Sequence, residues 1–454
     1  MKKRLTVFAV LLTLSLSLVL PLVLSGCAPR DEILKVYNWS EYIGEDVIDE
    51  FEQYYFEVTG KKITVKYDLF DENELMYSQI KTTKADYDVI CPSDYMVEKM
   101  IKENLLLKLE TNLEDLGYGE IEDYRNDISP LLMSGNTDDG RHYFDFDYDK
   151  ESGEYNVFSR AYTMGTLGIL YSNDATAYKR SSYGTYSSMQ EYVEANGWAV
   201  LWDKAFNQRI MMKNSVRDTY AIGAIYTLLN ERSSEYLPPL DTNITVAMAL
   251  NATDSTNVAK IEKQLLAQKK LLNGYENDEG KEVIIAGDID LTLQWAGDAV
   301  YAMGDLQEEL SKEKDLSYFV PYEGSNIFCD AWCIPKYSRN TLAANLWINF
   351  MCKGDIAIQN MDYIGYTSGV VSKEVFDYIL ENWASEEETD YFVDLSYFFG
   401  EHCGFDTTLY VAEEDYNAFE AQFPSLEVVQ RCAVMKDYGN KTREMNRMWR
   451  NIKA

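Results

Sequence analysis

From Ile33 onward the chain alternates short apolar runs with segments whose apolar residues recur at helical spacing. Leu34-Lys35-Val36-Tyr37 reads as a strand, and Val47, Ile48, Phe51 and Tyr55 then mark one face of a helix. Lys62 to Tyr67 alternates as a second strand, Asp71 to Lys84 is helical, and Tyr87 to Cys91 is a third strand followed by a helix from Asp94 to Glu103. The pattern resumes with strands at Thr166–Tyr171, Arg209–Met212 and Asp290–Gln294, with a helix at Val216–Asn230 between them. It closes in helices over Leu342–Cys352 and Asn440–Ile452.

Strand–helix alternation of this kind needs right-handed crossovers and predicts an α/β fold with parallel-dominated sheets and helices on both faces. At 454 residues the chain is long enough for two or three domains. Two stretches fall outside the alternation and read as loop insertions. Asn136 to Tyr155 is rich in Asp, Gly and Tyr, and Asn382 to Pro424 carries Glu386-Glu387-Glu388 among many aromatics.

The amino terminus has a different pattern. Met1-Lys2-Lys3-Arg4 precedes an apolar core from Leu5 to Leu24 with a small-residue exit, as in a secretory signal. Leu24-Ser25-Gly26-Cys27 resembles a lipobox, the cleavage and lipidation site of bacterial lipoproteins. That resemblance implies a signal peptide over 1–26, a lipid on Cys27, a short tether over 27–32 and an extracytoplasmic, membrane-held protein. A spanning helix is the competing reading, since the run has about the needed length. Pro21 and the Ser25-Gly26-Cys27 ending argue against it, and no basic stop-transfer cluster follows.

The formal charge is −33, and it becomes −36 once residues 1–26 remove three bases and no acid. Such a surface repels nucleic acid and anionic lipid and attracts cations, although solubility alone also accounts for it. Two histidines, His142 and His402, exclude a His-rich metal site, and no metal or cofactor is expected. Besides Cys27 there are six cysteines, at 91, 329, 333, 352, 403 and 432. An even number outside the cytoplasm permits disulfides. Cys91, Cys329 and Cys333 sit in apolar strand-like runs, which suits buried thiols equally well.

Several motifs then occur in a particular order. Val36-Tyr37-Asn38-Trp39-Ser40-Glu41-Tyr42-Ile43 is followed by Ala85 to Tyr95, with its Pro92-Ser93-Asp94-Tyr95 ending, and by Gly165 to Tyr171. Next come Trp198 to Trp202, Asn214 to Thr219, Leu293 to Ala299, Tyr322-Glu323-Gly324 with Asp330, Ile334-Pro335-Lys336 and Ile364-Gly365-Tyr366. The set resembles the spermidine/putrescine-binding proteins of ABC transporters over most of the chain beyond the signal. The resemblance implies a two-lobe periplasmic-binding-protein fold of the type with two crossovers. It places residues 33–164 and 331–376 in lobe 1 and residues 165–330 and 377–454 in lobe 2. A ligand would lie in the cleft between them and be delivered to ABC transporter permease subunits, by a monomer that is not an enzyme.

A polyamine needs carboxylates for its ammonium groups and aromatic faces for its methylenes and cation–π contact. The motifs supply Trp39, Tyr42, Tyr95, Trp295, Phe328 and Tyr366 as an aromatic box. Glu41, Asp218 and Asp330 bring charge, and Ser40 and Ser93 bring hydroxyls. Each has a plainer reading: an aromatic just after a strand is commonly a core plug, Asp218 can cap its helix, and Tyr366 after Gly365 can shape a turn. Asp330 lies in the apolar run Ile327–Ile334, where an unpaired acid is costly, so it is the carboxylate most strongly marked as functional. The chain departs from the family where Ser215 stands for an acid, Phe328 for a tryptophan, Met435 for a glutamine and Thr367 for a proline. Those departures leave putrescine, spermidine and other organic cations open. A lipid-anchored glycoside hydrolase would also use two acids in an aromatic cleft, but no acid pair here sits in a recognisable catalytic motif.

Overall fold

The structure is a computed structural model that describes residues 29–135, 143–229, 244–387 and 391–454. The apolar amino-terminal run, Cys27 and His142 lie outside the described residues. Among the described residues eleven strands form the main sheet: β1 (Ile33–Trp39), β2 (Thr64–Phe70), β3 (Val89–Ile90), β4 (Leu106–Leu107), β5 (Ser159–Ser172), β6 (Ile210–Lys213), β7 (Leu272–Glu276), β8 (Leu291–Trp295), β9 (Leu316–Phe319), β10 (Ile327–Pro335) and β11 (Thr367–Ser368). Their order is β2-β1-β3-β10-β5-β8-β6-β7, with β4 on β10 and with β9 and β11 on β5. A separate hairpin pairs β12 (Tyr391–Asp394) with β13 (Thr408–Val411) inside the second insertion.

Two sequence expectations are refined. The pairs β1–β2, β1–β3, β6–β7 and β6–β8 are parallel, as strand–helix alternation requires. The strands that join the two halves are antiparallel, because β5 meets β10, β8, β9 and β11 head to tail. The strand expected at 166–171 is also the second half of a 14-residue strand. Its first half pairs with β10, which leads on to β3 and β1, and its second half with β8 and β9, of which β8 leads on to β6 and β7. Nearly all its residues are buried, so alternation gives no signal for where it begins.

Each lobe has its own apolar support. Phe51, Tyr55, Trp332 and Trp347 pack with residues of β1 and β3, while Ile284, Ile285 and Ala299 pack with Leu170 of β5, Met211 of β6 and Tyr318 of β9. A third cluster runs through β5 from Ile90 and Met96 to Trp198 and Ile225. The first insertion is woven into this frame rather than hanging from it. Phe144 and Phe146 are buried, and the Asp147 carboxylate accepts the Ser159 N–H at 2.8 Å and the Ser159 hydroxyl at 2.7 Å. Arg30, in the segment read as tether, donates to Asp88 at 2.7 Å, which pins the chain to the body from that point.

The question of disulfides resolves toward thiols. Cys91, Cys329, Cys333 and Cys352 are free and buried, and Cys403 and Cys432 are free and half-buried. Burial pushes the Cys352 and Cys432 thiols up to about 12, away from the reactive thiolate. Among the described residues no helix is long and apolar enough to cross a membrane, and no cluster of acids, cysteines and histidines offers a metal three ligands.

Candidate ligand-binding cleft

Ligands of parallel sheets lie beyond the carboxyl ends of the strands, where successive loops converge. Trp39 ends β1, Phe70 ends β2, Lys213 ends β6, Glu276 ends β7 and Trp295 ends β8, and all five line one cavity of about 370 Å³ between the lobes. The eleven residues singled out in the sequence, Trp39, Ser40, Glu41, Tyr42, Ser93, Tyr95, Asp218, Trp295, Phe328, Asp330 and Tyr366, all line it as well. Helices starting at Asp94, Val216, Gly280 and Ala296 point their amino termini toward the same space. Their first turns carry Asp94, Asp218, Glu282 and Asp298, where the helix dipole favours negative charge.

Asp330 is the centre of one end. The β10–β5 register shifts between Asp330 and Ala331, and such an irregularity re-aims a side chain out of its regular alternation. Ala331 donates its N–H to Pro92 O at 3.0 Å, which fixes the kink against the start of the Ser93 turn. The Asp330 side chain is buried. Its Oδ2 accepts the Tyr42 hydroxyl at 2.8 Å, and its Oδ1 is buried without a hydrogen-bond partner among the described residues. Burial pushes its pKa up to about 6, with Ser93 and Tyr42 working against the rise and the Asp218 charge adding to it. Tyr42 packs edge-on to Tyr366 with ring centroids 5.2 Å apart, and Phe328 stands 6.3 Å from Tyr366. Tyr366 reaches this place through Gly297, where an added Cβ would lie 1.9 Å from its ring. Gly365 ends the preceding helix at φ 73°, so it is the glycine that shapes the turn while Tyr366 fills the wall.

The other predicted residues divide by environment. Trp39 donates its indole N–H to Cys91 O at 2.9 Å, which fixes the ring as a wall of the cleft. The Ser93 hydroxyl accepts from Asn73 at 3.0 Å. Asp218 is buried, and burial raises its carboxyl pKa, opposed by Ser215, Lys213, Trp295 and Arg217. Ser215 Oγ accepts the Asp218 N–H at 3.2 Å, so the serine takes up a first-turn N–H and the aspartate side chain is left to the cleft. Glu41 differs: its backbone is left-handed at φ 49°, its side chain is 67% exposed, and it pairs with Lys281 at 3.5 Å.

The cleft also holds basic groups that were not singled out in the sequence. Lys213 Nζ lies 3.0 Å from Glu276, 3.4 Å from Asp298 and 3.9 Å from the centre of the Trp295 ring. Arg217 stacks between Tyr95 and Tyr438, with its guanidinium carbon 3.9 and 3.6 Å from the two ring centres, and lies 3.6 Å from Glu74. Lys281 sits between Asp298 and Glu41; burial works to lower its pKa, and those two carboxylates carry it above its usual value. One sequence signal marked Lys213: it closes the otherwise apolar strand Ile210-Met211-Met212. Among the described residues ten carboxylates and four basic side chains line the cavity, so its field is negative even though several acids are internally paired.

Comparison with known proteins gives four findings of one kind. The family model for bacterial extracellular solute-binding proteins matches residues 46–388. The putrescine-binding periplasmic protein of Pseudomonas aeruginosa is 23% identical over 75% of this chain and 79% of its own length. The spermidine/putrescine-binding periplasmic protein 1 of Haemophilus influenzae is 24% identical over 76% of this chain and 78% of its own. Among solved structures, the spermidine/putrescine ABC transporter substrate-binding protein of Streptococcus pneumoniae superposes with a TM-score of 0.58 at 24% identity. That superposition covers 93% of this chain and 98% of the other, which establishes the two-lobe fold.

Proposed function

The chain belongs to the family of bacterial extracellular solute-binding proteins, and from that premise we propose that it captures a small polyamine in the inter-lobe cleft and delivers it to an ABC transporter permease. Membership sets the glycoside hydrolase reading aside, because the family binds solutes and does not transform them. The observation that carries the proposal is the buried, unpartnered Oδ1 of Asp330 in a pocket walled by Tyr42, Phe328 and Tyr366. A buried carboxylate oxygen left unpaired is costly, and an ammonium group entering that pocket supplies the missing charge-assisted hydrogen bond. Putrescine- and spermidine-binding relatives over three quarters of the chain support the same ligand class.

The two lobes, bounded as the motif order implies, would close over the amine by hinge motion about the strands that join them. Cys27 would hold the protein to the membrane through its lipid. Arg30 is pinned to Asp88, so such an anchor sits three residues from the folded body. The test is calorimetry on the protein lacking residues 1–27, with putrescine, spermidine and spermine. Saturable one-to-one heat is expected from at least one of them, and silence from all three in a folded sample overturns the proposal. Fractionation of Cys27→Ser tests the anchor: the variant leaves the membrane fraction and still binds ligand, whereas retention in detergent-extracted membrane points to a spanning helix.

A further inference from the structure

We infer that Lys213 is a specificity-determining residue, whose ammonium fills one amine position of the cleft and thereby shortens the ligand that the site accepts. This rests on the polyamine reading and says which polyamines fit. An ammonium in an apolar-walled site needs an aromatic face, carboxylates and a carbonyl or hydroxyl for its remaining protons. Lys213 Nζ has all of these: the Trp295 ring at 3.9 Å, Glu276 at 3.0 Å, Asp298 at 3.4 Å and Asn277 O at 2.8 Å. Its side chain is 1% exposed, as is that of Glu276. The protein's own amine therefore occupies a complete ammonium box.

That box is continuous with the Asp330 end. Tyr366 touches both, with its ring against Tyr42 and its hydroxyl 3.4 Å from Asp298, and Lys213, Trp295, Tyr366 and Asp330 line the same cavity. Glu41 is likewise engaged, by Lys281. Of the three acids singled out in the sequence, Asp218 and Asp330 remain without an ion pair among the described residues. Of the other cavity acids outside ion pairs among the described residues, Asp71, Glu72 and Asp278 are exposed and Asp94 accepts the Tyr95 and Cys329 N–H groups, so Asp218 and Asp330 are the two buried carboxylates left to match the two ammonium groups of a diamine. A third, secondary ammonium reaching along the cleft meets the Lys213 charge where it would need a partner.

The test is titration calorimetry with 1,4-diaminobutane and spermidine on wild type, Lys213→Met and Lys213→Arg. Wild type is expected to bind the diamine at least as tightly as the triamine. Lys213→Met empties the box and leaves Glu276, Asp298 and the Trp295 face to a ligand ammonium, so preference shifts at least tenfold toward spermidine. Lys213→Arg keeps the charge and keeps the wild-type preference. If Lys213→Met does not fold, the double variant Lys213→Met/Glu276→Gln removes the unpaired buried acid and carries the same expectation. A purely structural lysine would change stability and leave the length preference unmoved. The inference is overturned if wild type prefers spermidine more than tenfold, or if folded Lys213→Met, or the double variant in its place, keeps its preference within threefold of wild type. If wild type binds neither amine, the polyamine reading fails first and this inference with it; a wild type that binds amines but shows no shift on substitution fails this inference alone.

Discussion

Asp330 and Glu41 look alike in sequence, each an acid inside a motif, and the structure sets them in opposite conditions. Asp330 is buried, holds one oxygen against Tyr42 and leaves the other unpartnered. Glu41 is two-thirds exposed and already paired with Lys281. The charge a ligand meets is therefore not the number of carboxylates in the cleft, but the number left without an internal cation and shielded from water. Water and salt screen the exposed pair, while the buried acid acts at short range and low dielectric.

The sharpest way to break this contrast is to neutralise each acid in turn. Asp330→Asn is expected to weaken amine binding by about a hundredfold or more, since removing one member of a buried charge pair costs about 3–5 kcal/mol. Titration calorimetry reads it directly, and a loss under tenfold would mean that the ammonium sits elsewhere.

A proton does the same job reversibly. With the Asp330 pKa near 6, the carboxylate is ionised at pH 7 and mostly protonated at pH 5. Amine affinity should fall about tenfold across that interval, with Asp218 adding in the same direction because its pKa is also raised. In Asp330→Asn the pH dependence should flatten.

The same aspartate should show an opposite sign in stability. Its pKa is raised from 3.8 to about 6 on folding, so the native state holds the proton more tightly. That contribution favours the ligand-free fold at low pH and is lost as pH rises through about 6. Ligand-free Asp330→Asn should therefore melt higher than wild type at pH 7, by on the order of 1 kcal/mol or more in unfolding free energy. A lower melting point would mean that an unpartnered charge is not what the fold is bearing.

The smallest effect belongs to Glu41→Gln. An exposed pair contributes about 0–1 kcal/mol, so binding should change by less than about fivefold, and added salt should shrink that change further. An effect exceeding that of Asp330→Asn would reverse the comparison.

Much of the cleft was legible along the chain because an α/β fold gathers its loops where strands end. A residue just past a strand is carried to the ligand side whatever the rest of the sequence does, and that is why Trp39, Ser93, Tyr95, Trp295 and the others share one cavity. The strand–helix alternation likewise determined the parallel halves of the sheet. What the sequence did not determine is pairing across distance. Lys213 meets Asp298, and Lys281 meets Glu41, across separations no periodicity encodes, and β5 gave no sign of its length because it is buried on both faces. The same holds for Asp330: its apolar neighbours announced a costly acid, but the kink in β10, the Tyr42 hydroxyl and the oxygen left over exist only once β1, β5 and β10 are assembled around it. Local pattern settles which residues reach the cleft; desolvation and ion pairing depend on three-dimensional neighbours, and so the tertiary structure alone decides which of them remain available to a ligand.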